Sequence, residues 1–144
     1  MDRALIVAHV VGNIFWIGAI AATVLTMTAK SGDAKTRGEL AQQIYLKVAV
    51  PGFVLSFVAG VARLALDTGH YFKQPWFHAK LTVALIVIAL HHIIGARAKR
   101  MAKGDSEDAG PSVTLFIVYA ICAALAVFFF DSFFFPRLNR PVQL

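Results

Sequence analysis

Charge is what this sequence lacks most. Of 144 residues only 15% are Asp, Glu, Lys or Arg, while 58% are hydrophobic. A soluble domain carries about 25% charged residues. A chain with so few cannot cover a water-facing surface, which excludes a soluble globular domain, a disordered chain and a coiled coil. Cysteine is nearly missing as well. Cys122 stands alone, so no intrachain disulfide forms and no CxxC pair is present for metal or redox work. The three methionines are scattered, which leaves a Met- and Cys-rich copper site without ligands. A Ser–His–acid set, a P-loop and a dinucleotide-binding fingerprint are also absent, so hydrolysis and nucleotide chemistry have no residues to work with.

What the chain has is long apolar runs. A membrane-spanning helix needs about 20 mostly apolar residues, and four segments meet that length: residues 5–28, 44–66, 76–95 and 113–135. Membrane strands run to about 10 residues with alternating polarity, whereas these runs are apolar on every side. The first exceeds the roughly 7–15 apolar residues of a signal peptide, and Asp2-Arg3 before it adds no net positive charge, so it reads as a retained span. The connections are short. The expected fold is all-α, an integral membrane four-helix bundle of up-and-down topology forming a single transmembrane domain over residues 1–144.

The net charge of +6 belongs to topology, and nucleic acid is not expected as a partner. Lys30, Lys35, Arg37, Lys47, Arg97, Lys99, Arg100 and Lys103 fall on one side of the bilayer. Arg3, Arg63, Lys73, Lys80, Arg137 and Arg140 fall on the other, with Arg63 and Lys80 inside the membrane. The positive-inside rule then puts both termini outside and the two basic loops in the cytoplasm. In this topology each span brings ionisable groups to the outer half: His9, Arg63, His78 with Lys80, and Asp131. A charge in the bilayer costs roughly 2.5 kcal/mol or more, so such groups face inward and pair. Arg63 or Lys80 with Asp131 is the pair to expect. Snorkelling to the headgroups is the competing explanation for the two cations.

Helical spacing groups the polar residues further. His9 and Trp16 share a face of the first span, with Gly12 and Asn13 between them. Gly52, Ser56, Gly60 and Arg63 share a face of the second, a pattern of small residues that suits close helix packing. Lys80 and His91 return to one face of the third. The run at residues 128–135, six phenylalanines around Asp131 and Ser132, suits lipid contact or the wall of a flat ligand. Histidine is the one good transition-metal ligand available. Haem needs only one or two axial side chains and an apolar slot, and His9 and His78 lie at similar depth on two spans, with His91 in reserve about 20 Å further along.

The order His9, Trp16, Pro51, Gly60, then Trp76-Phe77-His78-Ala79-Lys80-Leu81, then His91, resembles the HemJ-type protoporphyrinogen oxidases, whose relatives are often described as CopD-like. The match covers roughly residues 5–95, and its Trp-x-His-x-Lys-Leu segment is the most specific part. The resemblance implies a small helical protein of the bacterial cytoplasmic (inner) membrane with haem b on axial histidines. It implies oxidation of protoporphyrinogen IX, a porphyrin-type substrate, to protoporphyrin IX, with electrons passed to quinone. A homo-oligomer in the bilayer is expected as well. His9 and His78 become haem-ligand candidates, with Trp16 and His91 beside the cofactor. Lys80 becomes a group to bind a propionate or move protons. Arg63 has no counterpart in the family pattern and is a second catalytic candidate from its place in the outer half of the bundle. The family also carries an Arg and an aromatic-His stretch after the first helix, an Asn-Glu-x-Pro segment before the last and a Lys-Pro ending. This chain reads Ala22-Thr23-Val24-Leu25-Thr26-Met27-Thr28, Gly110-Pro111-Ser112 and Phe135-Pro136-Arg137 there. A haem or electron-transfer protein without that substrate, and a small transporter, stand as the alternatives. Small four-helix drug exporters place an acid in the first helix, and this first span has none.

Overall fold

The structure, a computed structural model, describes residues 2–138, with side chains for residues 3–126. It is 86% helical, and no strand occurs among the described residues, so the choice of helix over strand is decided. The order is α1 (Asp2–Thr28), α2 (Ala34–Ile44), one π-helical turn (Tyr45–Ala49), α3 (Val50–Leu66), α4 (Thr68–Tyr71), α5 (Pro75–Lys103) and α6 (Ser112–Leu138). α2, the π turn and α3 form one continuous helix of 33 residues.

Three of these helices, Arg3–Thr28, Ala34–Leu66 and Pro75–Lys103, are long and apolar enough to cross a membrane, which makes the chain a membrane-spanning protein. Large apolar side chains line their outward faces: Leu25 is 70% exposed, Ile14 66% and Leu85 60%. Water would penalise that surface, and lipid would not.

The helices begin and end farther out than hydropathy alone places them. Residues 34–43, expected as part of a polar connection, are helical. Asp33 starts the helix: its carboxylate accepts from the Thr36 backbone N–H at 2.9 Å and from the Thr36 hydroxyl at 2.6 Å, satisfying donors that the first turn leaves open. At 33 residues this helix is about 50 Å long, well beyond the apolar thickness of about 30 Å. Its polar start, with Lys35, Arg37 and Glu39 exposed or partly so, therefore extends past the apolar layer. α5 likewise runs on through Arg97, Lys99 and Arg100 and stops at Gly104, whose φ of 78° ends it in a left-handed turn.

Two kinds of contact set the packing. α1 lies against α3 with almost no side chain between them. A Cβ on Gly12 would sit 2.5 Å from the Ser56 backbone nitrogen, and one on Gly52 2.7 Å from the Trp16 nitrogen. Small residues permit that approach. α2 lies against α5 through Gly38, where a Cβ would overlap the backbone at Met101 and Ala102, and through Gly95, where it would overlap the Tyr45 ring. α1 thus runs along the whole of the long helix, while α5 packs against its α2 part. Pro51 explains why the π turn lies where it does. It has no N–H for the Lys47 carbonyl, and its ring crowds that oxygen. A wider turn, with the Val50 N–H bonded to the Tyr45 carbonyl, relieves the crowding just before the proline. α6 packs on α5 and α1.

Candidate functional site

Two polar constellations lie along α1, one near its start and one near its middle. At the start, His9 Nδ1 is 2.8 Å from the Ser56 carbonyl oxygen and 3.1 Å from Ser56 Oγ. A carbonyl only accepts, so Nδ1 carries the hydrogen. Ser56 Oγ–H donates in turn to Asn13 Oδ1 at 2.8 Å. In the neutral ring the lone pair then lies on Nε2, which has no hydrogen-bond partner among the described residues. Gly60 clears room for the imidazole: a Cβ there would lie 3.2 Å from Nδ1 and 3.3 Å from Cε1. The seven-residue spacing of His9 and Trp16 showed the face of α1, but only the structure shows that Ser56 and Asn13 hold the imidazole.

Arg63 and Lys80 lie close enough to His9 for their charges to act on its ring, and close enough to act on each other. Arg63 Nε donates to the Tyr71 hydroxyl at 2.9 Å, which ties the end of α3 to α4. Lys80 on α5 is partly buried and has an interaction of its own. Asp131, the expected partner of either cation, has a side chain outside the described residues, as do Phe128 to Phe130 and Phe133 to Phe135. His78 is exposed, and its Nε2–H donates to the Phe72 carbonyl at 2.9 Å. His9 and His78, the expected pair, are therefore each bonded to a different segment here.

The second constellation joins three helices. His91 has no exposed surface. Trp16 Nε1–H donates to His91 Nδ1 at 3.0 Å, and His91 Nε2 is 3.1 Å from the Tyr45 hydroxyl. An indole N–H can only donate, so Nδ1 is the acceptor nitrogen and Nε2 carries the hydrogen that goes to Tyr45. This tautomer is assigned from the bonding partners. Tyr45 stacks on the ring at 4.8 Å between centroids, and Phe53 lies 5.2 Å away. Both nitrogens of His91 are thus in use, whereas His9 keeps one open. Tyr45 is the functional-looking residue that the sequence pattern did not single out. A tyrosine in an otherwise apolar run is the signal that would have found it, because its hydroxyl needs a partner when buried.

Haem would ask for a histidine nitrogen with a free lone pair, a fixed ring and cations for acidic substituents. His9 meets the first two requirements. An Nδ1–H bonded to a backbone carbonyl is the usual way a protein orients an imidazole whose Nε2 binds a metal. Arg63 and Lys80 meet the third. No cluster of three or more His, Cys, Asp or Glu side chains occurs among the described residues. No protein-family model, no curated protein and no solved structure matches the chain.

Proposed function

We propose that the protein is a four-helix bundle of the bacterial cytoplasmic membrane that binds haem b through His9 and resembles the HemJ-type oxidases in oxidising protoporphyrinogen IX, with quinone as electron acceptor. The observation that carries this reading is the His9 ring, held through Nδ1 by the Ser56 carbonyl and open at Nε2, with Arg63 and Lys80 nearby. When bound, the haem would supply one-electron redox chemistry. The chain's own part is positional. Ser56 and Asn13 fix the imidazole, Gly60 leaves it space, and the two cations would attract carboxylates such as propionates. His78 would be the second histidine to hold the haem, through its unprotonated Nδ1 or through Nε2 after giving up the Phe72 carbonyl. The positive-inside distribution supports placing the His9 end and both termini outside. A homo-oligomer in the bilayer completes the reading.

The departures from the family pattern at residues 22–28, 110–112 and 135–137 favour a second reading, a haem-binding electron-transfer protein without that substrate. One preparation separates the two. Detergent-purified protein supplied with haem is expected to give split α and β bands in a reduced-minus-oxidised spectrum, and His9→Ala is expected to abolish or shift them. A flat spectrum from folded wild-type protein overturns both readings. Porphyrin fluorescence appearing from porphyrinogen supports the oxidase, and its absence in a haem-loaded sample supports electron transfer alone. Lys80→Ala is expected to keep the bands and lose the fluorescence.

A further inference from the structure

Among the described residues His91 is the one histidine with no exposed surface, and the indole N–H that Trp16 donates to it joins α1 to α5. An imidazole that relays protons must accept at one nitrogen and release from the other. His91 has no nitrogen free to accept. Nε2 already bears a hydrogen directed at Tyr45, and the Nδ1 lone pair is taken by an indole N–H. The indole has no second role to fall back on, because it accepts no hydrogen bond in its plane. Protonating Nδ1 would set two N–H groups against each other in a site walled by the rings of Tyr45, Phe53 and Trp16. Among the described residues no carboxylate bonds to the ring. The titratable groups that face the layer are Tyr45 from the π turn, His92 beside His91 on α5, 5.0 Å between ring centroids, and the buried Tyr119 of α6, whose ring lies 6.1 Å from that of Trp16.

We propose that Trp16 is a donor cap on His91, and that the layer Trp16–His91–Tyr45 is a proton barrier between the His9 end of the protein and the basic-loop end. Chemistry at the His9 end then exchanges its protons with its own side of the membrane. The proposal stands on the bonding of His91 and does not depend on haem at His9.

Two experiments on the full-length protein test it. The first is nitrogen NMR of 15N-histidine-labelled wild type in lipid bilayers. One histidine is expected with a hydrogen on Nε2 and a bare, hydrogen-bonded Nδ1, unchanged from neutral to mildly acidic pH. The opposite tautomer, or conversion to imidazolium over that range, overturns the proposal. The second is proton flux into proteoliposomes driven by a potassium diffusion potential and read with an enclosed pH dye. Wild type is expected to match protein-free vesicles, Trp16→Phe to conduct several-fold faster, and Trp16→Phe with His91→Phe to return to the baseline. A folded Trp16→Phe variant no leakier than wild type overturns the barrier. So does a wild type as leaky as the variant. Should Trp16→Phe fail to fold, the wild-type spectrum decides alone.

Discussion

His9 and His91 are both imidazoles within an apolar protein, yet they are held in opposite ways. His9 is gripped through one nitrogen by a backbone carbonyl, and its other nitrogen has no hydrogen-bond partner among the described residues. His91 is gripped through both nitrogens by side chains and is sealed among aromatic rings. The difference lies in the partner type. A carbonyl fixes which nitrogen carries the hydrogen and frees the other for a ligand. A donor-only indole on one side and a phenol on the other use up the ring. Counting histidines in apolar helices therefore says little about ligation until the partner of each nitrogen is known.

The largest effect is expected from a change that breaks both regions together. Gly52→Leu forces a side chain into the α1–α3 seam, where even a Cβ lies 2.7 Å from the Trp16 backbone nitrogen and 3.1 Å from the Gly12 carbonyl oxygen. Overpacking costs about 1–3 kcal/mol when side chains can move, and here backbone must move. Loss of the monodisperse peak in detergent size-exclusion chromatography is the expected result, and a wild-type profile would show that the seam is looser than described.

His91→Ala separates the regions. It leaves the buried Trp16 N–H and the Tyr45 hydroxyl without their partner, at about 1–3 kcal/mol for each group. A clear drop in thermal unfolding temperature is expected. His9→Ala removes a ring that is only partly buried and should cost less, about 1 kcal/mol, while abolishing or shifting any haem bands. If the two substitutions destabilise equally, the contrast between a locked and an open imidazole fails.

The smallest effect comes from outside the apolar layer. The Thr36 hydroxyl and backbone N–H beside Asp33 hold its carboxyl below its ordinary value of 3.8. A depressed carboxylate stabilises the folded state above its unfolded value, and that contribution disappears as pH falls through the lower, folded value. Asp33→Ala should therefore lower the unfolding temperature slightly at neutral pH and have no effect in strong acid. An equal shift at both extremes would show that Asp33 acts through something other than this charge-assisted cap.

Much of the scaffold was legible in the sequence because hydropathy and helical period report directly on burial. The apolar runs became helices, and Gly52, Ser56 and Gly60, expected as a packing face, lie on the α1 side of α3. Polar helix was harder to see. Residues 34–43 are too hydrophilic for a membrane-length search, although Asp33 three residues before Thr36, followed by good helix formers, marks a helix start. The π turn was not legible at all, because Pro51 announces a disturbance without saying whether the chain kinks or widens. For the candidate site, the shared face of His9 and Trp16 could be read from spacing. Their partners could not, because Ser56, Tyr45 and His91 come from other helices, and spacing along one helix says nothing about what crosses from another.

The glycine seam also governs traffic. His9 turns Nδ1 into α3, so Nε2 faces the other way, and α1 and α3 touch too closely at Gly12 and Gly52 for any flat molecule to slip between them. A ligand for that nitrogen would have its route on the side away from α3. Where that side meets the bilayer, such a route would open into lipid. Its arrival and departure rates should then follow its concentration in the membrane more than its concentration in solution.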